Sequence, residues 1–170
     1  MATVHGFMDG ACDYRQMYDI QDLRGNLPVP VIHKNTLLYA IANNPDVSDF
    51  FHILNKTQLT GTLNSMQSAC TMFVPLNGGI PQEFKNPGSF ECRQIVLRHM
   101  MDIPVAEAFI RGSKGVLLNT RGSKLMLENW NSELPILNRY SQIVASQRIG
   151  RSIVYFIDRM ILPDQSPTTI

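Results

Sequence analysis

Thr71-Met72-Phe73-Val74-Pro75-Leu76-Asn77 is the stretch on which the reading of the fold turns. Residues 70–74, Cys-Thr-Met-Phe-Val, carry β-branched Thr71 and Val74 and aromatic Phe73, which suits a pleated and buried strand. Pro75 closes the run because proline brings no N–H to a ladder. Asn77-Gly78-Gly79 then reads as a turn, with the Asn77 side chain expected to bond backbone close by. The strand is expected to send Thr71 and Phe73 to opposite faces.

Working outward, the apolar period before this strand is helical. Asn35 is expected to cap a helix carrying Leu37, Leu38, Ile41 and Ala42, ended by Asn44-Pro45. Val47, Phe50, Phe51 and Leu54 mark a second helix, and residues 59–63 a third. After the strand, residues 90–100 return to helical spacing with Ile95, Val96 and His99 near one side. A short helix over 105–110 ends at Gly112. Strands are expected at 116–118, 125–127, 143–144, 153–157 and 160–162. Helices first and strands last argue for an α+β fold rather than a parallel α/β sheet.

The two ends differ from this middle. Residues 13–23 have helical spacing, with Tyr14, Met17 and Tyr18 on one side, and Gly25-Asn26 stops the pattern. Residues 27–31, Leu-Pro-Val-Pro-Val, read as extended. The expected division is an N-terminal arm over 1–34, a folded domain over 35–163 and a polar C-terminal tail over 164–170. The arm lies either on its own domain or on a neighbour.

Composition narrows the function classes. Hydrophobic residues make 44% of the chain and charged residues 17%, a globular balance that argues against disorder. Residues 1–80 hold four Lys/Arg against six Asp/Glu, and residues 81–170 eleven against eight. That asymmetry is far short of a nucleic-acid stripe, so no nucleic-acid partner is expected. Cys12, Cys70 and Cys92 show neither a disulfide framework nor zinc spacing. The opening residues have no cationic stretch followed by an apolar one, and no run is long enough for a membrane span. The expectation is an intracellular or virion environment with reduced thiols.

Several local phrases, in order, resemble the fasciclin family. Thr71-Met72-Phe73-Val74-Pro75-Leu76-Asn77 matches its Thr-x-Phe-x-Pro-x-Asn phrase. Leu97-Arg98-His99 stands where the family has a helix ending in Tyr-His. Ile157-Asp158-Arg159-Met160-Ile161-Leu162-Pro163 is similar to its closing Ile-Asp-x-x-Leu-x-Pro. The resemblance runs from about Thr36 to Pro163 and implies a fasciclin-like antiparallel β-wedge with several short helices, a non-catalytic interaction fold. Its fold-motif positions here are Thr71, Phe73, Pro75, Asn77, His99, Asp158 and Pro163. Two departures bear on function. Arg98 replaces the usual Tyr, and Ser146-Gln147-Arg148-Ile149-Gly150-Arg151 lies where secreted members often have an Asn-Gly turn. With no Arg-Gly-Asp either, the resemblance does not bring integrin recognition to this chain.

The residues themselves point to structural roles. His99 at the end of an apolar stripe reads as buried and bonded to backbone, and Asp158 as an acceptor for nearby N–H groups. His5, His33, His52 and His99 have no partner at metal-ligand spacing, and no phosphate loop or nucleophile elbow occurs. No catalytic residue, metal or cofactor is expected. Arg111-Gly112-Ser113-Lys114 and Arg121-Gly122-Ser123-Lys124 repeat a phrase ten residues apart, each before a strand. Similar hairpin turns explain it, with a cationic docking edge as the second reading. The expected function is a non-catalytic interaction and structural subunit of a larger assembly, for example a minor capsid or virion protein. The alternative is a fasciclin-type adhesion or receptor-binding module. Contacts to other subunits are expected from the arm and tail, with Tyr14, Met17, Tyr18, Arg111, Lys114, Arg121 and Lys124 as contact residues.

Overall fold

A computed structural model describes residues 18–19, 29–129 and 134–163. The five described α-helices are α1 (Leu37–Ala42), α2 (Ser48–Asn55), α3 (Thr60–Leu63), α4 (Ser89–Arg98) and α5 (Glu107–Gly112). The strands are β1 (Tyr18–Asp19), β2 (Val29–Pro30), β3 (Thr71–Pro75), β4 (Met100–Met101), β5 (Val116–Asn119), β6 (Lys124–Glu128), β7 (Ile136–Leu137), β8 (Ser141–Ile149) and β9 (Ser152–Ile157). β1 and β2 form a small antiparallel ladder. The other seven form one sheet in the order β4-β3-β9-β8-β7-β6-β5. Helices therefore precede most of the sheet, as the apolar periods require. The sheet is mixed rather than wholly antiparallel, because the interior strands β3 and β9 run parallel.

That parallel pair explains the core. β3 and β9 are buried along their whole length, as central strands covered on both faces must be. Met72, Val74, Val154 and Phe156 turn to one face and pack with Phe50, Ile53, Leu54, Ile95 and Val96 from the helices. Phe73, Ile153, Tyr155 and Ile157 turn to the other and pack with Leu118, Leu125, Leu127 and Leu137 inside the strand wedge. Phe73 and Tyr155 stack with ring centres 5.7 Å apart. Thr71 shares the face of Phe73 instead of opposing it, since a period of two returns the side chain to the same side. Its hydroxyl bonds Ile103 and Val105, next to that second core.

Local chemistry sets the element ends, and corrects several expectations. Thr36, not Asn35, caps α1, its Oγ1 accepting from Tyr39 N at 3.2 Å. Asn35 has a positive φ of 64° and turns the chain into the cap. The helix expected at 105–110 is displaced to 107–112, so Gly112 lies in its last turn. Residues 160–162 are not a strand: Met160 N bonds Gly79 O and Ile161 N bonds the His99 ring. The two Arg-Gly-Ser-Lys phrases are not similar turns. The first ends α5, and the second forms the β5–β6 hairpin, where Thr120 N bonds Ser123 O. Most of the helix expected at 13–23 lies outside the described residues, but Tyr18–Asp19 is strand, not helix.

Two close approaches demand glycine. A Cβ at Gly79 would fall inside the radius of the Asp158 carbonyl. Gly150 has φ of 58° in the β8–β9 turn, and a Cβ there would sit 2.5 Å from Asn35 O. Before α1, the buried Asn64 side chain accepts from His33 N at 2.8 Å and donates to Val31 O at 2.7 Å. Residues 31–33 are thereby fastened to the domain.

Candidate interaction surface

The residues singled out by the sequence act as pins between elements. Thr71 Oγ1 donates to Ile103 O and accepts from Val105 N, both at 2.8 Å. Asn77 does not bond locally. It reaches back about thirty residues in sequence: its Oδ1 accepts from Asp49 N at 2.9 Å and its Nδ2 donates to Pro45 O at 3.0 Å. It thereby supplies an acceptor at the N-terminus of α2, whose own preceding residue is Val47 and gives no side-chain cap. Asp158 Oδ1 likewise accepts across strands, from Gln142 N at 2.8 Å. Pro75 is buried and pairs with Ile157, and Pro163 is exposed.

His99 is the best-built of these pins. Its Nδ1–H donates to Ile95 O at 2.7 Å and its Nε2 accepts from Ile161 N at 3.0 Å. The second bond fixes the neutral tautomer, because a protonated Nε2 would point its hydrogen at another N–H. The ring is fully buried and meets Phe50 edge to face. Burial pulls its pKa down to about 3. A ring with both nitrogens occupied and no access to solvent holds structure rather than moving protons. Arg98 is buried beside it, with Nε 3.4 Å from Ile161 O.

The rest of the titratable inventory is similarly structural. Burial pushes the Cys70 and Cys92 thiols up, so neither is an activated nucleophile. The Tyr155 hydroxyl, pushed up to about 12 by burial, donates to Val105 O at 2.5 Å. Among the described residues no group of three His, Cys, Asp or Glu is placed to hold a metal ion, and no helix is long and apolar enough to cross a membrane.

One surface feature stands apart. A groove of about 660 Å³ runs between residues 101–106 and α5 on one side and β5 with its hairpin turn on the other. Ile103, Phe109 and Leu117 line it with 60%, 47% and 52% of their surface exposed. Thr71 and Tyr155 brace its far wall through the backbone of Ile103 and Val105. At one end Arg121 Nε meets Asp102 Oδ1 at 2.5 Å. With three large apolar side chains and one exposed ion pair, the groove is suited to covering by a polypeptide. It has no set of reactive groups.

The cationic phrases do not share one edge here. Arg121 lines this groove, while Arg111 lines a separate cleft with Tyr155, Ile143 and Ser146. Lys114 and Lys124 are exposed just before β5 and at the start of β6. Tyr14 and Met17 lie outside the described residues, as does the tail 164–170, and Tyr18 contributes backbone to β1. The sequence reading missed Ile103, Phe109 and Leu117. Leu117 was the legible one, since it sits between two strand neighbours that face the core, and alternation must turn it outward.

Comparison with known proteins agrees with this architecture. The fasciclin domain profile matches residues 45–163. A solved fasciclin domain pair from the insect cell adhesion molecule Fasciclin I superposes with a TM-score of 0.56 at 20% identity, over 76% of this chain. This chain spans 51% of that structure's length. No curated protein matches the sequence.

Proposed function

We propose, from the premise that this chain belongs to the fasciclin domain family, that it is a non-catalytic protein-interaction and structural subunit of a larger assembly. A viral capsid shell is one such assembly, and an adhesion or receptor complex is another. The observation that carries the reading is the apolar groove formed by Ile103, Phe109 and Leu117. These three are contiguous around one depression in a domain whose other large side chains are mostly buried. Contiguous apolar surface of this kind marks a place where another molecule sits.

Magnitude limits what the groove does alone. Each of the three side chains is about half exposed, so covering them is worth about 3 kcal/mol in total. That supports only millimolar association. A stable assembly contact needs more, which is the role proposed for the part of the 1–34 arm that precedes the fastened residues 31–33 and for the tail over 164–170. Linked contacts multiply affinity through effective concentration. The arm supplies Tyr14, Met17 and Tyr18, residue types enriched at interfaces.

The test is site-specific photo-crosslinking of the full chain in its native setting. Crosslinkers at positions 109 and 117 are expected to capture a partner polypeptide, and one at exposed Lys85 is not. Equal capture at all three positions, or none at any, contradicts the reading. Deleting residues 1–30 tests the arm: incorporation into the native complex should fall while the domain still folds. Undiminished incorporation removes the arm from the account.

A further inference from the structure

The groove is a seam between two backbones, that of β5 and that of residues 101–106. Among the described strands β5 is the last of the sheet and pairs only with β6. Thr120 N bonds Ser123 O in the β5–β6 turn. Antiparallel ladders alternate, so Leu118 and Val116 turn their backbone groups to β6. Leu117 and Asn119 therefore direct N–H and C=O into the groove. Arg121 has the same parity, and its N–H is already taken: it bonds Met100 O on β4 at 2.9 Å. The seam is thus closed at Arg121 and open beyond it. Across the gap Ile103 O, Val105 N and Val105 O are already bound by Thr71 and Tyr155.

We propose that the groove is a strand-addition site, in which an extended segment of another protein pairs with the free edge of β5. This rests on the interaction reading above and specifies its partner. The guest carries apolar side chains at alternate positions, to meet Leu117 on one side and Ile103 and Phe109 on the other. It carries acidic residues at its ends, because exposed Lys114 lies just before β5 and exposed Lys124 lies across from Asn119 on β6. Those lysines also argue against a second copy, which would bring the same positive charges to the same edge. This chain's own tail fits poorly. In Asp164-Gln165-Ser166-Pro167-Thr168-Thr169-Ile170 the only large apolar residue is Ile170, and Pro167 lacks an N–H.

The experiment selects phage-displayed random peptides against the full chain. The enriched peptide is then resynthesised with backbone N-methyl groups at alternate residues. Strand addition predicts alternating apolar sequences with acidic flanks. It also predicts that methylation in one phase weakens binding tenfold or more, and in the other phase by less than about twofold. Asn119→Pro removes one groove-facing N–H and suits an edge strand, so it should weaken binding about tenfold with the thermal midpoint little changed. Leu117→Glu, at an exposed position, supplies a second variant and should abolish binding of the acid-flanked peptide. Helix-patterned winners, or indifference to methylation phase and to both variants, overturn the proposal. So does a tenfold gain in affinity on deleting residues 164–170 or 1–17, which would make this chain's own segment the occupant. A dimer dissolved by Leu117→Glu assigns the edge to a second copy and equally overturns it. If position 117 still crosslinks a native partner while the strand signatures fail, only strand addition falls and the interaction reading stands.

Discussion

Acidification should loosen this fold through one buried ring. His99 is neutral in the native state, with a pKa lowered to about 3, against an ordinary value near 6.5 in the unfolded chain. The unfolded state therefore binds this proton first. The stabilisation is complete above about pH 6.5, declines as pH falls, and is fully lost below about pH 3. Within that window the slope is about 1.4 kcal/mol per pH unit, so by pH 5 the loss is about 2 kcal/mol. The physical cause is a bond reversal: Nε2 accepts from Ile161 N–H, and a proton there sets two donors face to face. The assay is urea unfolding at pH 7.5 and pH 5 for the native sequence and for His99→Gln, which cannot titrate. His99→Gln should cost about 1–3 kcal/mol at pH 7.5 through strained or lost hydrogen bonds. At pH 5 the gap between the two proteins should narrow by about 2 kcal/mol. Exposed His52 and the other histidines are common to both proteins and cancel. A gap that stays constant to within a few tenths of a kcal/mol would refute the reasoning.

Phe73→Ala should cost about 3–5 kcal/mol in chemical denaturation, because the ring is fully buried against Tyr155; a loss under about 1 kcal/mol would place the ring outside the core. Gly79→Ala should prevent folding or cost more than about 3 kcal/mol, since its new methyl meets the Asp158 backbone. Gly78→Ala, with nothing within 4 Å, is the internal control and should change stability by less than about 1 kcal/mol. Asn77→Ala should cost about 1–2 kcal/mol and raise amide exchange in the first turn of α2, where Asp49 N loses its acceptor. Cys70 and Cys92, buried with raised pKa, should resist a thiol reagent at pH 8 until the chain is unfolded. Prompt labelling of either in the native protein would count against their packing.

The sequence carried the fold where local chemistry and tertiary packing agree. The β3 phrase ends at Pro75 in both, and the apolar periods of α1, α2 and α4 lie where the helices lie. The reading slipped where a bond partner is remote in sequence. Asn77 and Asp158 looked like local turn residues, but their acceptors serve α2 and β8. Residues 160–162 have strand composition, yet the N–H groups of Met160 and Ile161 go to Gly79 and to the His99 ring. The parallel β3–β9 pair was not legible either, because two strands buried on both faces read as apolar runs in any pairing. For the groove, the outward turn of Leu117 was implied by alternation. Its meeting with Ile103 and Phe109 was not, since that depends on the route of residues 101–106 around the sheet edge. The Asn138-Arg139 turn, with φ of 54° and 56°, was also missed. Asn at its first position was the available signal.

The central claim is that the Ile103, Phe109 and Leu117 face is covered by another polypeptide in the working state. Hydroxyl-radical footprinting of the chain, purified alone and within its intact native complex, tests that directly. Oxidation of these three residues is expected to fall several-fold on assembly, while exposed His52 reacts equally in both samples. Unchanged oxidation of all three in the assembled state would contradict it.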